Sequence, residues 1–392
     1  MTGRTSAVCI LALLALAACA ANNEPGRVRF ATFNAAMGLA EAGALQSRLA
    51  AGDDPALLAL AEIIRTVRPD VLLINEFDFQ PGFDSAGALN RNYLDAPRAG
   101  LEPISYAWTF RAPVNTGVPS GLDLDGDGSP GSPADAWGFG MFPGQYGMLV
   151  LSRFPIDRDG ARSFREFLWK DMPDALEPSL PDNGKFYSKQ AWSEFRLSSK
   201  SHWDLPVQIG TTTIHFLVSH PTPPVFDGEE DRNGRRNHDE IRFWADYVVN
   251  AGYIYDDAGR HGGLDGGARF VVAGDQNSDP FDGDSHGGAI TQLLSSAAID
   301  SSCTPASEGA SEATAIQGGA NGKQRGNPAY DTSDFSDRVT GNLRLDYVLP
   351  SVSLDVLACG VFWPPSGHAQ HGLISHSDHR MTWLDVKLPS TN

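Results

Sequence analysis

The stretch that most constrains this chain is RFVVAGDQNSDP at residues 269–280, where an apolar run breaks off in a cluster of short polar side chains. Arg269 to Ala273 reads as a buried strand. Gly274 lets the chain turn, and Asp275 and Asn277 then project together from the strand's end while Gln276 faces away, because residues two apart share a face. A carboxylate beside an amide can orient a water and accept its proton. Taken alone, the same residues also read as an Asx turn closing a strand. Other strand ends carry polar groups of the same kind. VRFATFN ends in Asn34, VLLINEF holds Glu76, HFLVSH ends in His220, RLDYVLP carries Asp346, and SHSDHRMTWLDVKL opens with Asp378 and His379 before its strand. Such ends gathered on one rim are what a metal-dependent hydrolase built on packed sheets requires.

The chain has 392 residues and strand signals almost from end to end, so we read one domain over 27–392. Asp53 or Asp54 caps a helix with Pro55 at its first position, and Leu57, Leu60, Ala61 and Ile64 form its apolar face. Arg68-Pro69-Asp70 ends it. VLLINEF follows as a nearly all-apolar strand, which marks burial on both faces and an α/β architecture. Gln190 to Leu197 reads as a strand, and a hairpin turns around Ile209-Gly210-Thr211. In DRNGRRNHDEIRFWADYVV, Asn237 or Asp239 is the expected helix cap. Arg235 and Arg236 then sit just before the helix start, as a candidate phosphate-binding pair or a solvated one.

Two stretches, about 79–144 and 303–342, read as insertions rich in Gly, Ser, Asn, Asp and Pro. The first contains DLDGDGSPGSPAD, in which Asp123, Asp125, Asp127 and Gly128 match the first half of a calcium loop. Position twelve is Ala134 and Asp135 lies one further on, so a structural Ca²⁺ and a solvated acidic loop both stand as readings.

An acid such as Glu76 inside an apolar run is costly to bury unless paired or metal-bound, and a divalent cation is the simplest partner. His220 and His379 each read singly as structural hydrogen-bonders. With Asp346 placed to accept a ring N–H from His379, catalysis gains weight.

Taken together, FATFN, INEFD, VSHPTPP, GDQNSDP, LDYVLPS and SDHR resemble the ordered motifs of the endonuclease/exonuclease/phosphatase superfamily, which includes pancreatic-type deoxyribonucleases, abasic-site endonucleases, inositol polyphosphate phosphatases and sphingomyelinases. The resemblance spans roughly 27–388. It implies a four-layer α/β/β/α sandwich of two mixed β-sheets flanked by helices, with the site on one rim. It further implies that Glu76, with Asn34 and Asp378, holds Mg²⁺ or Mn²⁺. Asp275 orients or deprotonates the attacking water, Asn277 holds a phosphate oxygen or that water, and Asp346 pairs with His379. His220 and His379 stabilise the phosphorane-like charge. No acidic partner for His220 and no extended basic surface is legible, and the two insertions match none of the named branches.

Residues 1–19 read as a signal peptide, with Arg4 before an apolar run and LAAC resembling a lipobox that makes Cys19 the lipidated first residue. Cleavage after Ala20 is the alternative. The expected product is an extracytoplasmic lipoprotein, tethered through 20–26 and acting as a monomer. The formal net charge is −18, and losing Arg4 makes it −19, which discourages nonspecific polyanion binding. Cys303 and Cys359 remain in a compartment that permits disulfides, their pairing open. The function read from these features is a phosphoesterase leaning to nuclease action, with a phosphatase or phosphodiesterase on lipid or small organophosphates as alternative. A non-catalytic surface-binding protein and a calcium-dependent adhesin are the readings from other classes.

Overall fold

In the computed structural model, Asp54 accepts hydrogen bonds from the backbone N–H groups of Ala56 and Leu57, and with Pro55 at the first position this starts α1 (Pro55–Val67). Arg68 ends it in the left-handed conformation. The structure describes residues 26–97 and 100–388. The predicted signal peptide, Cys19 and nearly all of the tether lie outside them.

Six strands form one sheet: β1 (Arg27–Met37), β2 (Val71–Phe77), β3 (Trp108–Phe110), β4 (Met148–Ser152), β12 (Asp355–Val361) and β13 (Thr382–Lys387), in the order β12-β13-β1-β2-β4-β3. Five form the other: β5 (Arg162–Ser163), β6 (His202–Ile209), β7 (Thr212–Ser219), β8 (Arg269–Asp275) and β11 (Asp346–Pro350), in the order β11-β8-β7-β6-β5. Both are mixed, since β1 runs parallel to β2 and β7 parallel to β8 while the remaining pairs are antiparallel. A ribbon of β9 (Ser333–Asp334) and β10 (Asn342–Leu343) lies in the second insertion.

The continuous apolar runs explain the layering. Within VLLINEF, Val71 and Leu73 face the other sheet, where they meet residues such as Phe216, Val271 and Val348. Leu72 and Ile74 point the opposite way, against Leu57, Leu60 and Ile64 of α1. On the far side, Leu217, Phe270 and Val272 pack under Ile241, Phe243 and Trp244 of α3 (Arg232–Tyr247). Helix, sheet, sheet and helix therefore stack as the four-layer sandwich, with the central strands buried on both faces.

Two local expectations are corrected. Residues 190–197 are not a strand: Ser188 accepts a hydrogen bond from the N–H of Ala191 and starts a short helix, α2 (Lys189–Glu194). A six-residue run is too short for periodicity to separate the two forms. Helix α3 begins at Arg232, so Asn237 and Asp239 are buried within it and not caps. Asn237 donates to the carbonyls of Thr222 and Gln276, and Asp239 accepts from the Trp169 indole and the N–H of Leu176.

Cys303 and Cys359 are disulfide-bonded, 56 residues apart, and fasten the start of the second insertion to β12 at the edge of the intersheet core. Replacing both by serine is expected to lower the unfolding free energy by about 4 kcal/mol, from the chain entropy regained by the opened loop. Urea denaturation measures it; a loss below about 1 kcal/mol would mean that other contacts already hold that loop. No helix among the described residues is long and apolar enough to cross a membrane.

Candidate active site

The rim gathers strand ends from both sheets. Asn34 stands opposite Asn75 in the parallel β1–β2 pair, and Asp275 opposite Asp346 in β8–β11. Gly274 permits this approach, because a Cβ there would lie 2.1 Å from the Ser219 carbonyl oxygen. Three non-glycine residues at the rim hold left-handed backbone conformations: Ala36 (φ 52°), Glu76 (φ 53°) and Asn277 (φ 51°). Such geometry costs on the order of 1–3 kcal/mol each and clusters at functional sites.

Asp275, 1% exposed, is the hub. Its Oδ2 accepts a hydrogen bond from Asn34 Nδ2 at 3.1 Å and lies 3.3 Å from His220 Nε2 and 3.5 Å from His379 Nε2. Its Oδ1 accepts the N–H of Asn277. Asn34 Nδ2 also reaches Glu76 Oε1 at 3.1 Å, so one amide joins the two carboxylates. On the far side of His379, Nδ1 lies 2.8 Å from Asp346 Oδ2. The structure thus brings Asn34, Glu76, His220, Asp275, Asn277, Asp346 and His379 together.

The charges follow from these contacts. Burial opposes ionisation of Asp275, yet the imidazoles of His379 and His220 outweigh it and hold the carboxyl well below the usual range. Burial likewise opposes charge on His379, but the Asp346 and Asp275 carboxylates push its pKa up to about 10. Its imidazolium therefore persists through neutral pH. His220 goes the other way: burial and the neighbouring Lys200 ammonium lower its pKa against the pull of Asp275. The rim pairs one cationic with one neutral imidazole.

Other predicted residues fall elsewhere. Asp378 is exposed on the rim and acts on His379 only electrostatically. Arg236 is buried, donating to the carbonyls of Leu197, Trp137 and Arg196, and cannot bind phosphate. Arg235 sits a turn into α3, so the helix start is not where the pair was expected. In the acidic loop, Asp123 and Asp125 group with Asp135 rather than with the exposed Asp127. Their oxygens accept hydrogen bonds from N–H groups of the loop itself.

The model of the Endonuclease/Exonuclease/phosphatase family matches residues 31–379, from β1 to His379. This chain belongs to that family. The endonuclease/exonuclease/phosphatase from Beutenbergia cavernae DSM 12333 is similar in fold, at 19% identity and a TM-score of 0.51, covering 93% of this chain and 72% of that one. A truncated TDP2 from Caenorhabditis elegans (13% identity, TM-score 0.44, 92% and 98% covered) and an AP endonuclease from Archaeoglobus fulgidus (12%, 0.42, 91% and 98%) are more distant. No curated protein matches the chain in sequence.

The Endonuclease/Exonuclease/phosphatase family depends on divalent metal, and the residues here suit one. Glu76 and Asp275 offer hard carboxylate oxygens on either side of Asn34, whose Nδ2 donates to both while its Oδ1 accepts the Ala36 N–H.

Three supporting residues escaped sequence reasoning. Asn75 is fully buried; its Oδ1 accepts the Asp275 N–H and its Nδ2 donates to the Ser219 carbonyl, clamping the sheets behind the family's site. It was legible only as a polar interruption of an apolar strand. Thr332, from the second insertion, donates to Asp346 Oδ2 at 2.8 Å and accepts the Asp346 N–H. Lys200, 6% exposed, lies beside His220 with a single 3.5 Å contact to the Pro221 carbonyl, which also accepts from Asn277 Nδ2. No pattern in its mixed-charge segment marks it.

Proposed function

We propose that this protein is a divalent-metal-dependent phosphoesterase that works outside the cytoplasm, anchored through Cys19. The observation that carries the reading is the buried Asp275 carboxylate, set 3.3 Å from the His220 and 3.5 Å from the His379 imidazole and hydrogen-bonded by an asparagine that also binds Glu76. Mg²⁺ or Mn²⁺ held by Glu76, with Asn34 and Asp378 completing its surroundings, would supply Lewis acidity to a phosphoryl oxygen.

The side chains do the rest. Asp275, kept ionised, orients the attacking water and accepts its proton. Asn277 presents its amide to a phosphoryl oxygen, while Lys200, its pKa lowered by burial, supports His220 from behind. The His379 imidazolium, oriented by Asp346, stabilises charge as it develops and can protonate the leaving oxygen. His220, neutral and with an Nδ1 that makes no hydrogen bond, passes a proton without carrying a fixed charge. A second imidazole of this kind favours a phosphodiester, and nucleic acid is one substrate that fits.

The test is hydrolysis of supercoiled plasmid and of bis(p-nitrophenyl) phosphate by purified protein with Mg²⁺ or Mn²⁺. Turnover of at least one substrate, abolished by EDTA and restored by metal, is expected. A folded protein that cleaves neither with either metal would overturn the reading.

A further inference from the structure

A groove of about 810 Å³ opens beside the catalytic rim, between α4 (Glu308–Gln317) of the second insertion and the 364–378 segment. Its size suits a small organic group. It is continuous with the site: Ala36 lines it two residues beyond Asn34, and Ser377 and Asp378 line it just before His379. Ser377 Oγ also donates to the Asn34 carbonyl at 2.8 Å, so groove floor and site are built on the same strand ends.

The lining combines apolar surface, three carboxylates and two imidazoles, those of His371 and His376. Ala313, Ile374 and the largely exposed Ile316 supply carbon surface, while Glu312, Asp334 and Asp378 supply carboxylates. The one Lys or Arg side chain lining it is Arg380, and that guanidinium is spent: it donates to the Ser377 and His379 carbonyls, pairs with Asp334 and stacks 4.3 Å over Trp363. A nucleic-acid strand would bring further phosphates against Glu312 and Asp378, with Asp334 already paired to Arg380 and only the His371 and His376 imidazoles as further basic groups in the lining.

We infer that this groove receives the organic portion of the substrate and selects an uncharged or cationic, partly apolar group over a nucleic-acid strand. The inference rests on the phosphoesterase reading and narrows its substrate class. It also gives the second insertion a purpose: one wall of the groove is α4, held in place through the Cys303–Cys359 bond.

Steady-state kinetics with bis(p-nitrophenyl) phosphate and with a duplex oligonucleotide test it. The parent protein should prefer the small diester. Ala313→Trp, which fills the groove, should raise KM for that diester by at least about tenfold with kcat little changed. Because tryptophan also crowds Trp363, a melting curve accompanies this variant, and the exposed Ile316→Lys provides a second. Adding a cation there should shift the ratio of kcat/KM values toward the oligonucleotide by about tenfold. Hydrolysis by a folded protein whose KM and substrate ratio ignore both variants would overturn the groove while leaving the phosphoesterase standing. Absence of hydrolysis on every substrate would overturn both.

Discussion

Asp275→Asn is expected to lower kcat by about 10²–10⁴-fold, the range set by loss of a positioned general base. The substitution keeps shape and volume but removes the charge on which the rim converges. An amide cannot accept the proton of a water, and its NH₂ group would turn toward one of the imidazoles that now lie 3.3 and 3.5 Å from the carboxylate. His379 keeps Asp346 at 2.8 Å, so its orientation survives and the melting temperature should fall by no more than a few degrees. The loss should appear in kcat as well as in kcat/KM, because the missing interaction belongs to the transition state. A kcat within tenfold of the parent would assign the proton to another group and break the mapped mechanism.

Asp385→Ala is expected to cost about 3–5 kcal/mol of stability. Asp385 is fully buried, takes Arg29 in a two-pronged pair at 2.7 Å on each oxygen, and binds Arg27 at 2.9 Å. The three residues lie together in the β1–β13 ladder, with Arg29 over the Trp383 ring at 3.9 Å. Removing the carboxylate leaves two guanidinium groups without their acid, Arg29 deep in the outer face of the sheet, where desolvation is no longer offset. Urea denaturation measures the loss. The folded fraction should keep its kcat, because the pair lies along β1 and β13 and not on the rim itself. A loss below about 1 kcal/mol would show that water or a shifted Arg29 replaces the acid.

The sandwich was largely legible because it follows from local chemistry. An apolar run such as VLLINEF, entered from Arg68-Pro69-Asp70, favours a strand covered on both faces, and Asp54-Pro55 favours a helix start. What misled was polar chemistry with two meanings. Asn237 and Asp239 are good caps in isolation, yet they face the core, where buried donors and acceptors satisfy them. Arg236 had the composition of a phosphate ligand and spends its guanidinium on backbone carbonyls instead. DLDGDG displayed its alternating acids, but the third carboxylate of the group came from Asp135, which sits on a turn of its own.

The sequence alone determined an α/β architecture and which strand ends would carry oxygen and nitrogen donors, because burial pattern and turn chemistry act over a few residues, while the layer order came from the resemblance of its motifs to the family's. Only the tertiary structure decided which of those donors meet. Asn34 and Asp275 are 241 residues apart and touch at 3.1 Å because two sheets pack with their ends level. The charge states of His220 and His379 were equally out of reach. They depend on burial and on whether Lys200 or Asp346 is the neighbour, and distances of a few ångströms between remote segments set both.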